Sequence, residues 1–289
     1  MKKPASLNDL KIMLVNNSFA IFGAGPIGSN IYGACKLINC IPVGFCDNYR
    51  KSAYGLPEVP VYLPINLIRN HPDIIFLISA QSQNIINQIS TQLMELKFPE
   101  SQIIWFDELL ELLKEVELNW NNCRENEYNW QKNNKIIEYM AQWINEKDTS
   151  VADLGCGKEM HLRKQLHPKC KYIPVDYISR SNDTIVCDFN DDKLPELKFD
   201  VAFLCGVLMY LYDPAKFLNW LCIVTKKKII LRFAQLNELT QKEKFSGHVS
   251  CGTVEFVDNI IKTNGFKITK KEISFDKKRE YILLCYERV

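Results

Sequence analysis

Asp153, Gly155 and Gly157 close one short apolar run, Asp176 ends a second and Asp188 ends a third; Asp200 borders a fourth. In an open α/β sheet, ligands bind beyond the carboxyl ends of the strands. A glycine turn at such an end lets a ligand approach the backbone closely. An ionised carboxylate after the next strand accepts two hydrogen bonds, which suits a ribose diol. An acid after the third strand can accept from an exocyclic amine. Together these residues describe a nucleoside site. The turn is not a full phosphate loop, because Gly157 is followed by Lys158-Glu159-Met160 without a third glycine or a Gly-Lys-Ser/Thr step. An isolated Asp at a strand end is also a common turn or cap residue, and Asp188-Phe189-Asn190-Asp191 reads as a simple turn as well.

The first half carries a second constellation. Gly23-x-Gly25-x-x-Gly28 follows the apolar run Ser18–Phe22, and Asp47 lies 19 positions beyond Gly28. This is a dinucleotide fingerprint: glycines for a tight turn and close approach to a pyrophosphate, and an acid for a ribose hydroxyl. The alternative is a Rossmann-type unit used only for packing or dimerisation. A dehydrogenase or epimerase reading lacks support, since no catalytic domain of a dehydrogenase and no Tyr-x-x-x-Lys pair follow.

The elements that must position these residues alternate. Strands are predicted at Ser18–Phe22, Pro42–Cys46, Ile74–Ile78 and Gln102–Phe106, and helices at 29–39 and 82–97. A Gly/Pro-rich loop is expected from Tyr54 to Pro64. Helical patterning then runs from about 107 to 145. A strand–glycine–helix pattern restarts at Val151, with strands at Tyr172–Val175, Thr184–Cys187, Asp200–Cys205 and Lys228–Phe233, a helix at Glu255–Asn264, and a terminal strand pair, Phe266–Ser274 and Glu280–Glu287. Alternation of this kind predicts an α/β protein of two doubly wound, Rossmann-like domains. The junction is placed around 112–125, giving domains 1–112 and 113–289.

Composition agrees with two globular domains. The 289 residues are 47% hydrophobic and 24% charged, with 36 basic against 34 acidic residues. A net charge of +2 gives no case for nucleic-acid binding. The short clusters Lys226–Lys228 and Lys277–Arg279 read as solvated loops. The 11 cysteines form no Cys-x-x-Cys pair and lie mostly in apolar runs. That fits reduced, buried thiols in a cytoplasmic protein, with no metal cluster. Neither a signal peptide nor a membrane span is expected. A homo-oligomer is compatible with all of this.

The segments VADLGCG (151–157), YIPVD (172–176), VCDF (186–189) and FDVAFLCGVLMYLYDP (199–214) resemble the class I S-adenosylmethionine-dependent methyltransferases, over roughly 120–289. The resemblance implies a seven-stranded sheet with an antiparallel last strand. It implies that Asp153, Gly155, Cys156 and Gly157 line the methionine end of the cofactor and that Asp176 holds the ribose hydroxyls. It places Asp188 and Phe189 beside the adenine, and Cys205 and Gly206 beside the sulfonium. Many relatives carry an acid where this chain has Met209, which leaves Tyr210 and Asp213 as polar groups near the expected transfer site. His248, in a loop that faces the site in that fold, is the remaining candidate base, while His161 and His167 are expected at the surface.

The stretch Phe19–Pro64, including Val43–Asn48 and Val59-Pro60-Val61, resembles the N-terminal Rossmann-like domains of bacterial sugar-modifying proteins. That likeness implies a nucleotide or nucleotide-sugar at Gly23, Gly25, Gly28 and Asp47. The combined expectation is methyl transfer to an oxygen or nitrogen of a sugar or nucleotide-sugar in bacterial surface-polysaccharide biosynthesis. The rival readings are an NAD-dependent oxidoreductase or epimerase, and a non-catalytic ligand-binding protein with a methyltransferase fold.

Overall fold

The computed structural model describes residues 3–118, 134–276 and 279–289. The Trp120–Trp130 stretch and Lys277-Lys278 lie outside them. The chain forms two compact units: Met1–Tyr128 with Thr240–His248, and Asn129–Leu239 with Val249–Val289. Nothing in the sequence pattern marks Thr240–His248 as belonging with the first unit.

The first unit is built on a five-stranded sheet of order β3-β2-β1-β4-β5, every pairing parallel. The strands are β1 (Phe19–Phe22), β2 (Phe45–Cys46), β3 (Val61–Tyr62), β4 (Ile75–Ile78) and β5 (Ile103–Ile104). Its helices are α1 (Leu7–Asn16), α2 (Pro26–Leu37), α3 (Pro64–Asn70), α4 (Gln83–Glu95) and α5 (Phe106–Leu112). Alternate strand residues serve opposite faces. Phe19, Ile21, Ile75 and Leu77 pack with α1, α2 and α5, while Ala20, Phe22, Phe76 and Ile78 pack with α3 and α4. Both faces are covered, so the strands read as unbroken apolar runs.

Three elements here differ from the sequence expectation. Strand β3 lies inside the expected 54–64 loop, because Phe45 N–H and Asp47 N–H donate to Pro60 and Tyr62 carbonyls along the β2 edge. Helices α1 and α3 are absent from the expectation; α3, at seven residues, is too short to show a helical period, and in α1 Asn8, Asp9 and Lys11 interrupt the apolar stretch. Helix α1 is set by its Ser6 cap, which accepts from Asp9 N–H at 3.1 Å.

The second unit carries a seven-stranded sheet of order β11-β12-β10-β9-β6-β7-β8. Its strands are β6 (Ser150–Leu154), β7 (Lys171–Asp176), β8 (Ile185–Val186), β9 (Phe199–Cys205), β10 (Thr225–Ala234), β11 (Phe266–Asp276) and β12 (Arg279–Arg288). Strands β6 to β10 pair in parallel, and β12 is antiparallel to both β10 and β11, as the last strand was expected to be. One face packs on α7 (Pro214–Val224) and α8 (Val254–Thr263), the other on α6 (Asn134–Ala141).

Three expectations are corrected. No α-helix follows Gly157: the chain makes a 3₁₀ turn at His161–Gln165, entered through Met160 in the left-handed region (φ 42°). Pro168, three residues past that turn, limits any longer helix. His161 is half-buried there rather than at the surface. Lys226–Lys228 form part of β10, not a loop. Lys228 is buried and pairs with Asp148 at 2.9 Å, and Lys227 reaches Asp200 at 2.7 Å.

Candidate functional site

The parallel strands of the second sheet put their carboxyl ends along one edge. After β6 the chain passes to β7 and β8 on one side, then returns to β9 on the other, so the ends of β6 and β9 form the switch point where α/β sheets take ligands. Gly155, Cys156 and Gly157 make the turn there. Gly155 N–H donates to Val175 O at 2.8 Å and Cys156 N–H to the same oxygen at 3.2 Å. Both glycines have positive φ, 77° and 63°. A Cβ on Gly155 would meet Val207 Cγ2 at 2.7 Å, so packing requires that glycine. A Cβ on Gly157 would meet nothing within 4 Å, so open space lies over the second half of the turn.

Asp176, the last residue of β7, is held against this turn. Its Oδ2 accepts from Gly157 N–H at 2.9 Å. Its Oδ1 lies 3.3 Å from Arg180 Nε, and the two side chains are only 4% and 6% exposed. Asp153, 5% exposed, accepts from the Tyr172 hydroxyl at 2.7 Å. Burial pushes its pKa up to about 7; the Tyr172 hydrogen bond opposes the rise and the like charge of Asp176 adds to it. Burial likewise raises the Cys205 thiol to about 12, against the nearby Arg232 charge, and raises Cys156 further. Neither thiol is a ready nucleophile at neutral pH.

The structure brings Asp153, Gly155, Cys156, Gly157 and Asp176 into one cluster, with Cys205 and Gly206 closing the neighbouring strand, where Gly206 N–H donates to Arg232 O at 3.0 Å. Asp188 follows β8 and makes a turn, accepting from Asn190 N–H at 2.9 Å. Phe189 packs on Phe217 and Trp220, with ring centroids 4.9 and 6.0 Å away. Tyr210 stands half-buried on the turn after β9, and Asn190 ties that turn to the β8 loop by donating to Tyr210 O at 3.1 Å and accepting from Tyr212 N–H at 2.8 Å. Asp213 caps α7, accepting from Lys216 N–H at 2.9 Å. His248 is buried and belongs to the first unit.

Asp200 does not join the cluster. It is the second residue of β9, at the opposite end of the strand from Cys205. Burial works against its charge, but Lys227 and both the amide and hydroxyl of Thr149 hold its pKa below the ordinary value. Sequence reasoning missed Tyr172, Arg180 and Asn190. Of these only Arg180 carried a signal, as a cation four residues after the diol acid.

In the first unit, Gly23 (φ 111°) and Gly28 serve close packing: a Cβ on Gly23 would meet Ser79 Oγ at 2.0 Å, and one on Gly28 would meet Gly23 O at 1.9 Å. Asp47 accepts from Ala24 N–H at 2.9 Å, and from the Tyr49 and Arg50 amides at 2.9 and 3.0 Å. It thereby ties the glycine turn to the loop after β2. Arg50 Nε would lie 4.0 Å from a Cβ on Gly25, so a cation stands beside the turn.

No family model matches the chain, and no curated protein does. Among solved structures, the chain is similar to magnesium protoporphyrin IX methyltransferase from Synechocystis with bound SAM, at 14% identity and TM-score 0.44, covering 54% of this chain and 79% of that one. It is similar to 1,6-didemethyltoxoflavin-N1-methyltransferase from Burkholderia thailandensis with bound 1,6-didemethyltoxoflavin and S-adenosylhomocysteine, at 10% identity and TM-score 0.44, covering 57% and 83%. A SAM-dependent methyltransferase from Aquifex aeolicus matches at 16% identity and TM-score 0.41, covering 57% and 97%. At TM-scores below 0.5, such likeness assigns neither a family nor an activity.

Proposed function

We propose that the second unit binds S-adenosylmethionine at the carboxyl edge of its seven-stranded sheet and serves methyl transfer to an oxygen or nitrogen of a small molecule. The observation that carries this reading is the Gly155–Gly157 turn at the switch point, joined through Gly157 N–H to the carboxylate of Asp176. The residues fit the group. The space over Gly157 admits a ligand against bare backbone, and Asp176 presents paired acceptors at the end of the next strand. The cofactor, when bound, supplies an electrophilic methyl group.

On this reading Asp153, Gly155, Cys156 and Gly157 hold the methionine end, Asp176 the ribose hydroxyls, Asp188 and Phe189 the adenine, and Cys205 with Gly206 the sulfonium side. The chain's contribution is to hold nucleophile and methyl in line. A neutral amine needs no base; a hydroxyl profits from one. Tyr210 and Asp213 remain the second unit's proposed proton-handling groups; His248 belongs to the first unit and is not assigned there. Tyr210 is favoured, because the Asp213 carboxylate already caps α7. The acceptor is proposed to be sugar- or nucleotide-linked, on the likeness of Phe19–Pro64 to the N-terminal domains of sugar-modifying proteins.

The test is calorimetric titration with S-adenosylhomocysteine. Micromolar binding that Asp176→Asn loses, in a variant with an intact melting transition, is the expected result. No binding at millimolar ligand by the folded wild-type protein overturns the reading.

A further inference from the structure

The carboxylate that the cofactor reading gives to the ribose is already covered by a buried cation. We propose that Arg180 is a built-in competitor of the cofactor: its guanidinium occupies Asp176, and ligand binding must turn it out. The inference rests on the cofactor reading.

Three observations support it. First, the pair is a buried one, with both side chains under a tenth exposed and Nε 3.3 Å from Oδ1. A carboxylate only 4% exposed has no open face for a ribose diol, so a covering group must move, and the guanidinium against Oδ1 is a long, rotatable side chain. Second, Asp176 does not need Arg180 for its orientation. Gly157 N–H fixes Oδ2 at 2.9 Å, and an ionised carboxylate has about four acceptor positions, so the group stays aimed when the cation leaves. Third, the backbone of Arg180 is anchored independently of its side chain. The amides of Arg180 and Ser181 donate to Thr184 Oγ1 at 3.2 and 2.9 Å, and Thr184 N–H returns to Ser181 O at 3.1 Å. The exchange therefore does not require the loop to open: the side chain turns past the Tyr177 ring, whose centroid lies 5.6 Å from the guanidinium carbon. Breaking a buried ion pair is costly, so the apo pair lowers the observed affinity for any adenosine ligand.

The test is S-adenosylhomocysteine titration of wild type and Arg180→Gln, joined to arginine-selective labelling of the wild type. The expected result is at least tenfold tighter binding by Arg180→Gln, and several-fold faster phenylglyoxal modification of Arg180 in the wild type when ligand is present. Binding by Arg180→Gln that is equal or weaker, with Arg180 labelling unchanged or slowed by ligand, overturns the inference and leaves the cofactor reading standing. Absence of binding by the folded wild type overturns the cofactor reading and the inference with it. The labelling arm uses the native chain, so it reports even if the variant does not fold.

Discussion

Asp153 gives a stability test that needs no ligand. Its carboxyl is buried at the end of β6, takes one hydrogen bond from Tyr172 and faces the like charge of Asp176, and its pKa rises from 3.8 to about 7. The folded state therefore binds this proton more tightly than the unfolded chain. Stability from this group is fully present below about pH 4 and is lost as the pH climbs to about 7. Above that, both states have released the proton and the loss is complete. At about 1.4 kcal/mol per tenfold change in proton affinity, the gap amounts to about 4 kcal/mol. Asp153→Asn removes the ionisable group while keeping an acceptor for the Tyr172 hydroxyl. Urea unfolding followed by tryptophan fluorescence, from pH 5 to 8.5, should show the variant gaining on the wild type as pH rises. The difference should approach about 4 kcal/mol at pH 8 and narrow toward pH 5. The first unit contributes equally to both proteins and cancels. Stability curves that run parallel across this range would refute the reasoning, because Asp153 would then be ionised in the folded protein throughout.

Gly157→Ala should cost only about 1 kcal/mol of stability, from its positive φ, since its Cβ meets no atom within 4 Å, yet weaken S-adenosylhomocysteine at least tenfold by calorimetry. Equal affinity in the two proteins would place the ligand elsewhere. Lys228→Met leaves Asp148 buried without its cation and should lower stability by about 3–5 kcal/mol in thermal melts, with Asp148→Asn/Lys228→Met recovering most of it. Lys97 ends α4 in the left-handed region (φ 54°), where Phe98 N–H donates to Leu93 O and Lys97 N–H to Met94 O, both at 2.9 Å, in a Schellman motif. Lys97→Gly should raise stability by about 1 kcal/mol, and a lower melting temperature would contradict that account.

The strand runs and most of the glycine turns are legible in the amino-acid sequence. Ile75–Ile78 and Val201–Cys205 are covered on both faces, so they are continuously apolar and legible without a structure. Gly155 and Gly28 are legible for the same kind of reason: side chains would collide with Val207 and with Gly23 O, so residue type records the local geometry. Strand β3 stayed hidden, because two residues paired along the β2 edge leave no pattern.

The tertiary structure alone decided which acids stand together. Asp176 and Asp200 both sit at strand termini, yet one ends β7 at the glycine turn and the other is the second residue of β9, beside Lys227. Strand direction separates them, and a short apolar run does not show where its register with the neighbours begins. The cation on Asp176 was likewise decided in space. The sequence shows Arg180 only as a cation four residues after Asp176; the Thr184 hydroxyl anchors its backbone, and burial places its guanidinium against the carboxylate.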